Sequence, residues 1–297
     1  MFAALEADFP EVRGIWNIGY VGGVMSMPSR TNAGEPRAFG YAKEKLVKVL
    51  TYRAEKLVGL TLEHMTANVA PEFSKWIYMR GWDKAAAAKG LKVPMMYVHS
   101  SDIPWSSLDA EHLVDITIYW MKEAFEHYGC DQFSACIYGP EVGMTSLWYA
   151  SSYVRDIFFP FCNFLIYITT EFSAYFILYR FFNFISSSSF EIRYVKSLSS
   201  RFVQGFPDRL CHLVNSPTYR VAAAVYEVAK LVLPTPVVAK INIVAPGEET
   251  TNVLTEIIGL ENIPTFYDGS ADHTAYRSLP LAEQMAIQFA EGEGACE

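Results

Sequence analysis

The sequence predicts an α/β protein: a mixed, mostly parallel sheet with crossover helices, preceded by a small helical module. Three observations predict it. Between Phe206 and Gly269, strand-like and helix-like runs alternate, each bounded by proline or glycine, which is the punctuation that parallel strands and crossover helices require. The strand-like runs, Cys211-His212-Leu213-Val214 and Val237 to Val244, are apolar without alternation, as suits strands covered on both faces. Between them Val221, Val225, Val228 and Val232 form one stripe at the helical period, with Arg220, Glu227 and Lys230 on the other side.

From the start of the chain, residues 1–36 are rich in Gly, Pro, Asn and Ser and show no sustained period, so an irregular segment is expected. Over 37–70 the pattern changes. Leu46, Val47, Leu50, Ala54, Leu57 and Val58 recur at helical spacing, with Lys43, Glu44, Lys45, Lys48 and Glu55 between them. The main domain is expected over 71–270. Its first strand is read at Val93 to Val98, after the Lys89-Gly90 turn. A helix then starts at Ser106-Ser107, with Asp109 and Glu111 in its first turn, where acids suit the helix dipole. Leu113, Ile116, Trp120, Ala124 and Tyr128 give that helix an apolar face. Phe133 to Tyr138 reads as the second strand and Met144 to Asp156 as another helix.

The link from Arg155 to Phe206 is many times longer than the roughly four to six residues of an ordinary connection. Within it, 157–199 stand out as an atypical Phe- and Ser-rich insertion, since nine of the chain's twenty phenylalanines fall between Ile157 and Ile185. About twenty apolar residues suffice for a membrane span, but Glu171 and Arg180 interrupt this run, and a span here would pull neighbouring strands of one sheet away from each other. Three readings stay open: a segment foreign to the fold, such as translated intron sequence; a membrane-docking insertion; or a span. Beyond Pro246-Gly247 an acid-started helix runs from Glu248 to Ile258 and stops at Gly259. Residues 271–297 read as a C-terminal tail, frayed around Glu291, Glu293 and Glu297.

Composition narrows the function classes. A net charge of −8 excludes nucleic acid as a sequence-independent partner, because such binding draws on a basic surface. Five cysteines, odd in number and without a CxxC pair, favour a reducing, cytoplasmic setting. Glu6 and Asp8 interrupt the first ten residues, so no secretory signal is expected. Catalytic templates are missing: no Gly-x-Ser-x-Gly elbow, no phosphate-binding glycine loop and no His-Glu-x-x-His occur. The six histidines show no metal-ligand spacing, and His212, inside an apolar strand, reads as a core histidine. No catalytic residue, metal or cofactor is therefore expected, and the chain is not read as an enzyme.

Five marks, in order, carry a family resemblance: Phe206-Pro207-Asp208-Arg209-Leu210, the strand into Asn215-Ser216-Pro217, the valine-striped helix, a strand bearing Lys240, and Ile263-Pro264-Thr265-Phe266-Tyr267-Asp268-Gly269. They resemble the lipid-exchange domain of the CRAL-TRIO family, in its phosphatidylinositol-transfer-like branch. The family runs Tyr-Pro-Glu-Arg-Leu, Asn-Ala-Pro, a mobile gate helix, a strand with a lysine, and Leu-Pro-x-x-x-Gly-Gly. Ala42-Lys43-Glu44 and Tyr52-Arg53 are similar to the helical module that precedes that domain, and Tyr153-Val154-Arg155 to the family's Tyr-Val-Arg. The arginine of the family's Asp-Gly-Arg-Pro-Val is missing near Val93.

The resemblance implies a sheet that floors an apolar pocket and a chain that binds and transfers a hydrophobic ligand, foremost a phospholipid such as phosphatidylinositol. Burying acyl chains is worth about 0.8 kcal/mol per CH₂, so the walls matter most. They would come from Val221, Val225, Val228, Val232, Val238, Ile243 and Trp120, each of which also reads as plain core. The headgroup positions that match are Asp208, with Arg209 next to it, and Lys240; where the family's choline-selecting polar residues fall, this chain offers only Ser134, so the resemblance implies phosphatidylinositol before phosphatidylcholine. Lysine gives phosphate a point charge and a carboxylate accepts from inositol hydroxyls, although Asp208 is one methylene shorter than the family's glutamate. The expected partners are a phospholipid or other hydrophobic small molecule and, transiently, a membrane surface. A cytoplasmic, peripherally membrane-associated monomer follows from that reading. The alternative is a membrane-recruitment or scaffold module with a collapsed pocket that exchanges no lipid.

Overall fold

The computed structural model describes residues 39–69, 71–100, 102–103, 109–139, 209–217, 238–244 and 248–290, with scattered positions between 197 and 230. Among these residues the centre is one five-stranded sheet in the spatial order β1 (Ile77–Trp82), β2 (Pro94–His99), β3 (Phe133–Tyr138), β4 (Leu210–Ser216), β5 (Ile241–Ile243). β1 pairs antiparallel with β2, and every other pair is parallel. The chain is thus a mixed α/β protein with a mostly parallel sheet.

Helices α1 (Phe39–Lys56) and α2 (Leu62–Asn68) precede the sheet, and a short α3 (Lys84–Ala87) follows β1. α4 (Ala110–Glu126) joins β2 to β3, so the β2-α4-β3 unit is a crossover between parallel strands. After β5 come α5 (Glu248–Ile258), α6 (Thr274–Arg277) and α7 (Leu281–Ala290). Asp109 caps α4 by accepting from the Glu111 N–H at 2.9 Å, three residues beyond the predicted Ser106 start.

Register fixes which side chains share a face. Met79, Met96, Ala135, Leu213 and Ile241 stand on one side, together with Ile77, Val98, Ile137, Asn215 and Ile243. α4 packs on this side at β1, and its Phe125 meets Phe133 of β3 at 6.4 Å between ring centroids. Tyr78, Tyr97, His99, Cys136, Tyr138, Val214 and Ser216 stand on the other. There α5 and the 260–277 segment pack: Ser216 and Thr250 hydroxyls lie 2.5 Å apart, and the Tyr267 hydroxyl donates to the Ser216 carbonyl at 3.1 Å.

Several expectations need correcting. β1 was not among the expected strands, and Val93 to Val98 is the second strand of the sheet. The fifth strand spans only Ile241–Ile243, with Val238 to Lys240 in a helical turn before it. Residues 271–290, read as tail, carry α6 and α7, whose Tyr276, Met285 and Phe289 are buried in the main core. The helical module is also built into that core, through Leu57, Leu60, Met65 and Val69. Arg53 of α1 is buried, donates to the Gly205 carbonyl at 3.1 Å and to Glu126 at 2.5 Å, and lies 4.7 Å above the Phe206 ring. Residues 1–36, the helix at 144–156, the valine helix, Tyr153-Val154-Arg155 and all but the last few positions of the 157–199 insertion lie outside the described residues.

Candidate functional site

Two polar groups and one apolar floor stand out on the sheet. The first polar group forms where β4 bulges. Phe133 pairs with Leu210 and Ala135 with Leu213, so Cys211 and His212 together face the single residue Ser134. The spare His212 backbone N–H is satisfied by the Ser134 hydroxyl oxygen at 3.2 Å. That hydroxyl in turn donates to Asp83 Oδ2 at 2.6 Å, and His212 Nδ1 lies 2.6 Å from the same oxygen. Asp83 Oδ1 accepts from the Ala86 N–H at 2.8 Å as the cap of α3. The Cys211 thiol completes the group, 3.6 Å from His212 Nδ1.

Charge in this group is set by contact. Asp83 is fully buried, and burial pushes its carboxyl up, yet hydrogen bonds from His212, Ser134 and the Ala86 amide outweigh burial and hold it below the usual range. The bond to Asp83 raises His212 to about 9, with the Cys211 contact adding to it and burial opposing it. The pair is therefore imidazolium and carboxylate at neutral pH. His212 is not the plain core histidine the sequence suggested.

The second group lies toward the other end of the sheet, where β2 and β3 terminate. The Tyr78 hydroxyl stands 3.1 Å from both His99 Nε2 and His273 Nδ1. One hydroxyl proton serves only one of them. The two imidazoles therefore take complementary roles, one accepting from the Tyr78 hydroxyl and the other donating to it. Phe266 packs on His99 at 4.4 Å and Tyr97 on His273 at 5.0 Å between centroids. Burial, reinforced by the Arg277 charge, drives His99 down to about 3; burial with Arg80 and Arg277 drives His273 down to about 4. Both are neutral in the folded chain.

The apolar floor follows from burial along one face. Met79, Met96, Ala135 and, on β5, Ile241 are buried there, whereas Ile137, Leu213, Asn215 and Ile243 are only half-buried. A separate cleft of about 380 Å³ opens among Leu62, Tyr119, Lys122, His127, Tyr128 and Met285. No strand residue lines it, so it is not a chamber floored by the sheet.

The predicted site residues divide three ways. Asp208, Val221, Val225, Val228 and Val232 lie outside the described residues. Lys240 is half-buried and immediately precedes β5, its carbonyl accepting from the Leu213 N–H at 2.7 Å, so it borders the bulge of β4; Val238 is half-buried in the turn before it. Ile243 belongs to the floor. Arg209, Ser134 and Trp120 are held in the interior instead. Arg209 donates to the Asp131 carbonyl at 2.5 Å and stacks 4.8 Å over Phe125, and Trp120 packs against Phe289 under full burial. Ser134 is spent on Asp83 and the bulge. Asp83, Cys211, His212, His99 and His273 were missed as site residues. Only the Cys211-His212 adjacency could have signalled the first group, because Asp83 is 129 residues from its histidine.

Fold and site together define a mixed α/β protein with a partly buried apolar floor and, at the β4 bulge, a buried aspartate paired with a half-buried histidine. No family model and no curated protein matches the sequence. Among solved structures, the crystal structure of Sfh5 is similar at 11% identity with a TM-score of 0.47, over 83% of this chain and 69% of that one. At that degree of likeness it bears on neither ligand nor site. Among the described residues, no helix is long and apolar enough to cross a membrane.

Proposed function

We propose that the chain binds a hydrophobic ligand, foremost a phospholipid such as phosphatidylinositol, above the Ile137–Leu213–Ile243 floor, and transfers it between membranes. One observation carries this reading. The marks that resemble the CRAL-TRIO lipid domain fall in order along the chain, three of them on the strands of the floor: Arg209 precedes β4, Asn215-Ser216 closes it and Lys240 precedes β5, while Ile263-Pro264 follows α5 on the opposite face. At Ile137, Leu213 and Ile243 that face stays half-buried, while its continuation over β1 and β2 is fully packed. Acyl chains laid on it would gain about 0.8 kcal/mol per CH₂, and Lys240 would supply the phosphate with a point charge. Asp208, one residue before Arg209, is the proposed partner for headgroup hydroxyls.

The test is transfer of labelled phosphatidylinositol and phosphatidylcholine between vesicles. The unaltered chain should move phosphatidylinositol, and Lys240→Ala should lose that activity selectively. Unchanged transfer by Lys240→Ala would remove the headgroup assignment. Vesicle binding without any lipid exchange would replace the carrier with a membrane-recruitment module.

A further inference from the structure

We infer that Asp83, Cys211 and His212 form a binding site for a thiophilic divalent cation of the zinc type. The site is independent of the lipid reading. One sulfur, one imidazole nitrogen and one carboxylate oxygen lie within 4.8 Å of one another, and these are the donor types that a borderline-soft d¹⁰ ion accepts. Adjacent residues of a regular strand point to opposite faces, so Cys211 and His212 could not share an ion there. The bulge opposite Ser134 removes that obstacle, and Sγ and Nδ1 come within 3.6 Å. Ligands about 2.3 and 2.0 Å from a tetrahedral ion stand about 3.5 Å apart.

The supporting contacts are already in place. Asp83 Oδ2 accepts from Ser134 and Oδ1 from the Ala86 amide, which fixes the carboxylate. Ser134 also holds the His212 backbone, so one hydroxyl orients two ligands. Metal sites depend on such outer contacts. Asp83 and His212 atoms stand 2.6 Å apart, closer than the roughly 3.3 Å of two ligands on one ion. The ion takes the place of the proton between them and of the Cys211 thiol proton, both released to solvent, and the two side chains separate by about 0.7 Å. Asp83 is buried, whereas Cys211 and His212 are partly exposed, so the ion enters from their side. Its fourth position faces outward and takes water.

Titration of the full chain with cobalt(II) chloride alone is the test, because a cobalt–thiolate bond gives a charge-transfer absorption that oxygen and nitrogen ligands do not. The expected result is a band that saturates at one cobalt per chain and is bleached by zinc. Cys211→Ser should abolish the band, and His212→Gln should weaken binding at least tenfold. Ser134→Ala should keep the band but lower affinity by about 10- to 100-fold. Far-UV circular dichroism of each variant shows that it has folded. Absence of a thiolate band from the unaltered chain, or its persistence in Cys211→Ser, would overturn the site.

Discussion

Acid should unfold this protein through two histidines. His99 and His273 titrate at about 3 and about 4 in the folded chain, against an ordinary value of 6.5. Their folded values are lowered, so the unfolded chain binds more protons once the pH drops below the ordinary value. Stability is therefore complete above that value and is lost as pH falls. With both groups in the window, the slope is about 2.7 kcal/mol per pH unit, and the drop from about pH 7 to about pH 5.5 comes to about 2.5 kcal/mol. Against a total of about 5–15 kcal/mol for a folded domain, that is a large share. Urea unfolding at the two pH values, on the unaltered chain and on the doubly substituted His99→Gln/His273→Gln chain, isolates the effect from that of the carboxylates. The double variant should lose about 2.5 kcal/mol less than the unaltered chain over this interval. Parallel losses would refute the assignment of both imidazoles as buried and neutral.

Four further outcomes can be checked by substitution. Arg53→Ala should cost about 3 kcal/mol in urea unfolding, because it strips a buried guanidinium from Glu126, the Gly205 carbonyl and the Phe206 ring. Gly269→Ala should destabilise by more than about 2 kcal/mol, since a Cβ there would overlap the Ile263 carbonyl. Asp268→Gly should be tolerated, as Asp268 already occupies a left-handed conformation at φ 60°. Leu213→Trp, on the half-buried floor, should cost no more than about 1–3 kcal/mol and leave the chain folded yet cut lipid loading several-fold, measured by extraction from labelled vesicles.

Where the sequence was legible, the signal was an uninterrupted apolar run or a helix with both ends marked. β3 was foreseen at its observed limits, and α5 stops where Gly259 takes a positive φ of 80°. β1 escaped because Arg80 and Gly81 break its run after three apolar residues, and its fit at the sheet edge depends on α7, whose Gln288 bonds both the N–H and the carbonyl of Gly81. β5 was overdrawn because Val238 is β-branched yet sits in a turn. The site was harder to see for a physical reason. Asp83, Ser134 and His212 meet only after a crossover and a one-residue bulge, and neither leaves a mark in local composition. Arg209 could be taken for a headgroup ligand because its motif position says nothing about the Asp131 carbonyl that its guanidinium binds.

Native mass spectrometry of the chain, purified without detergent and then offered phosphatidylinositol-containing vesicles, tests the central claim most directly. The carrier account predicts a species heavier by one phospholipid, approaching one per chain and depleted by Leu213→Trp. A chain that stays ligand-free after exposure to the vesicles would contradict it.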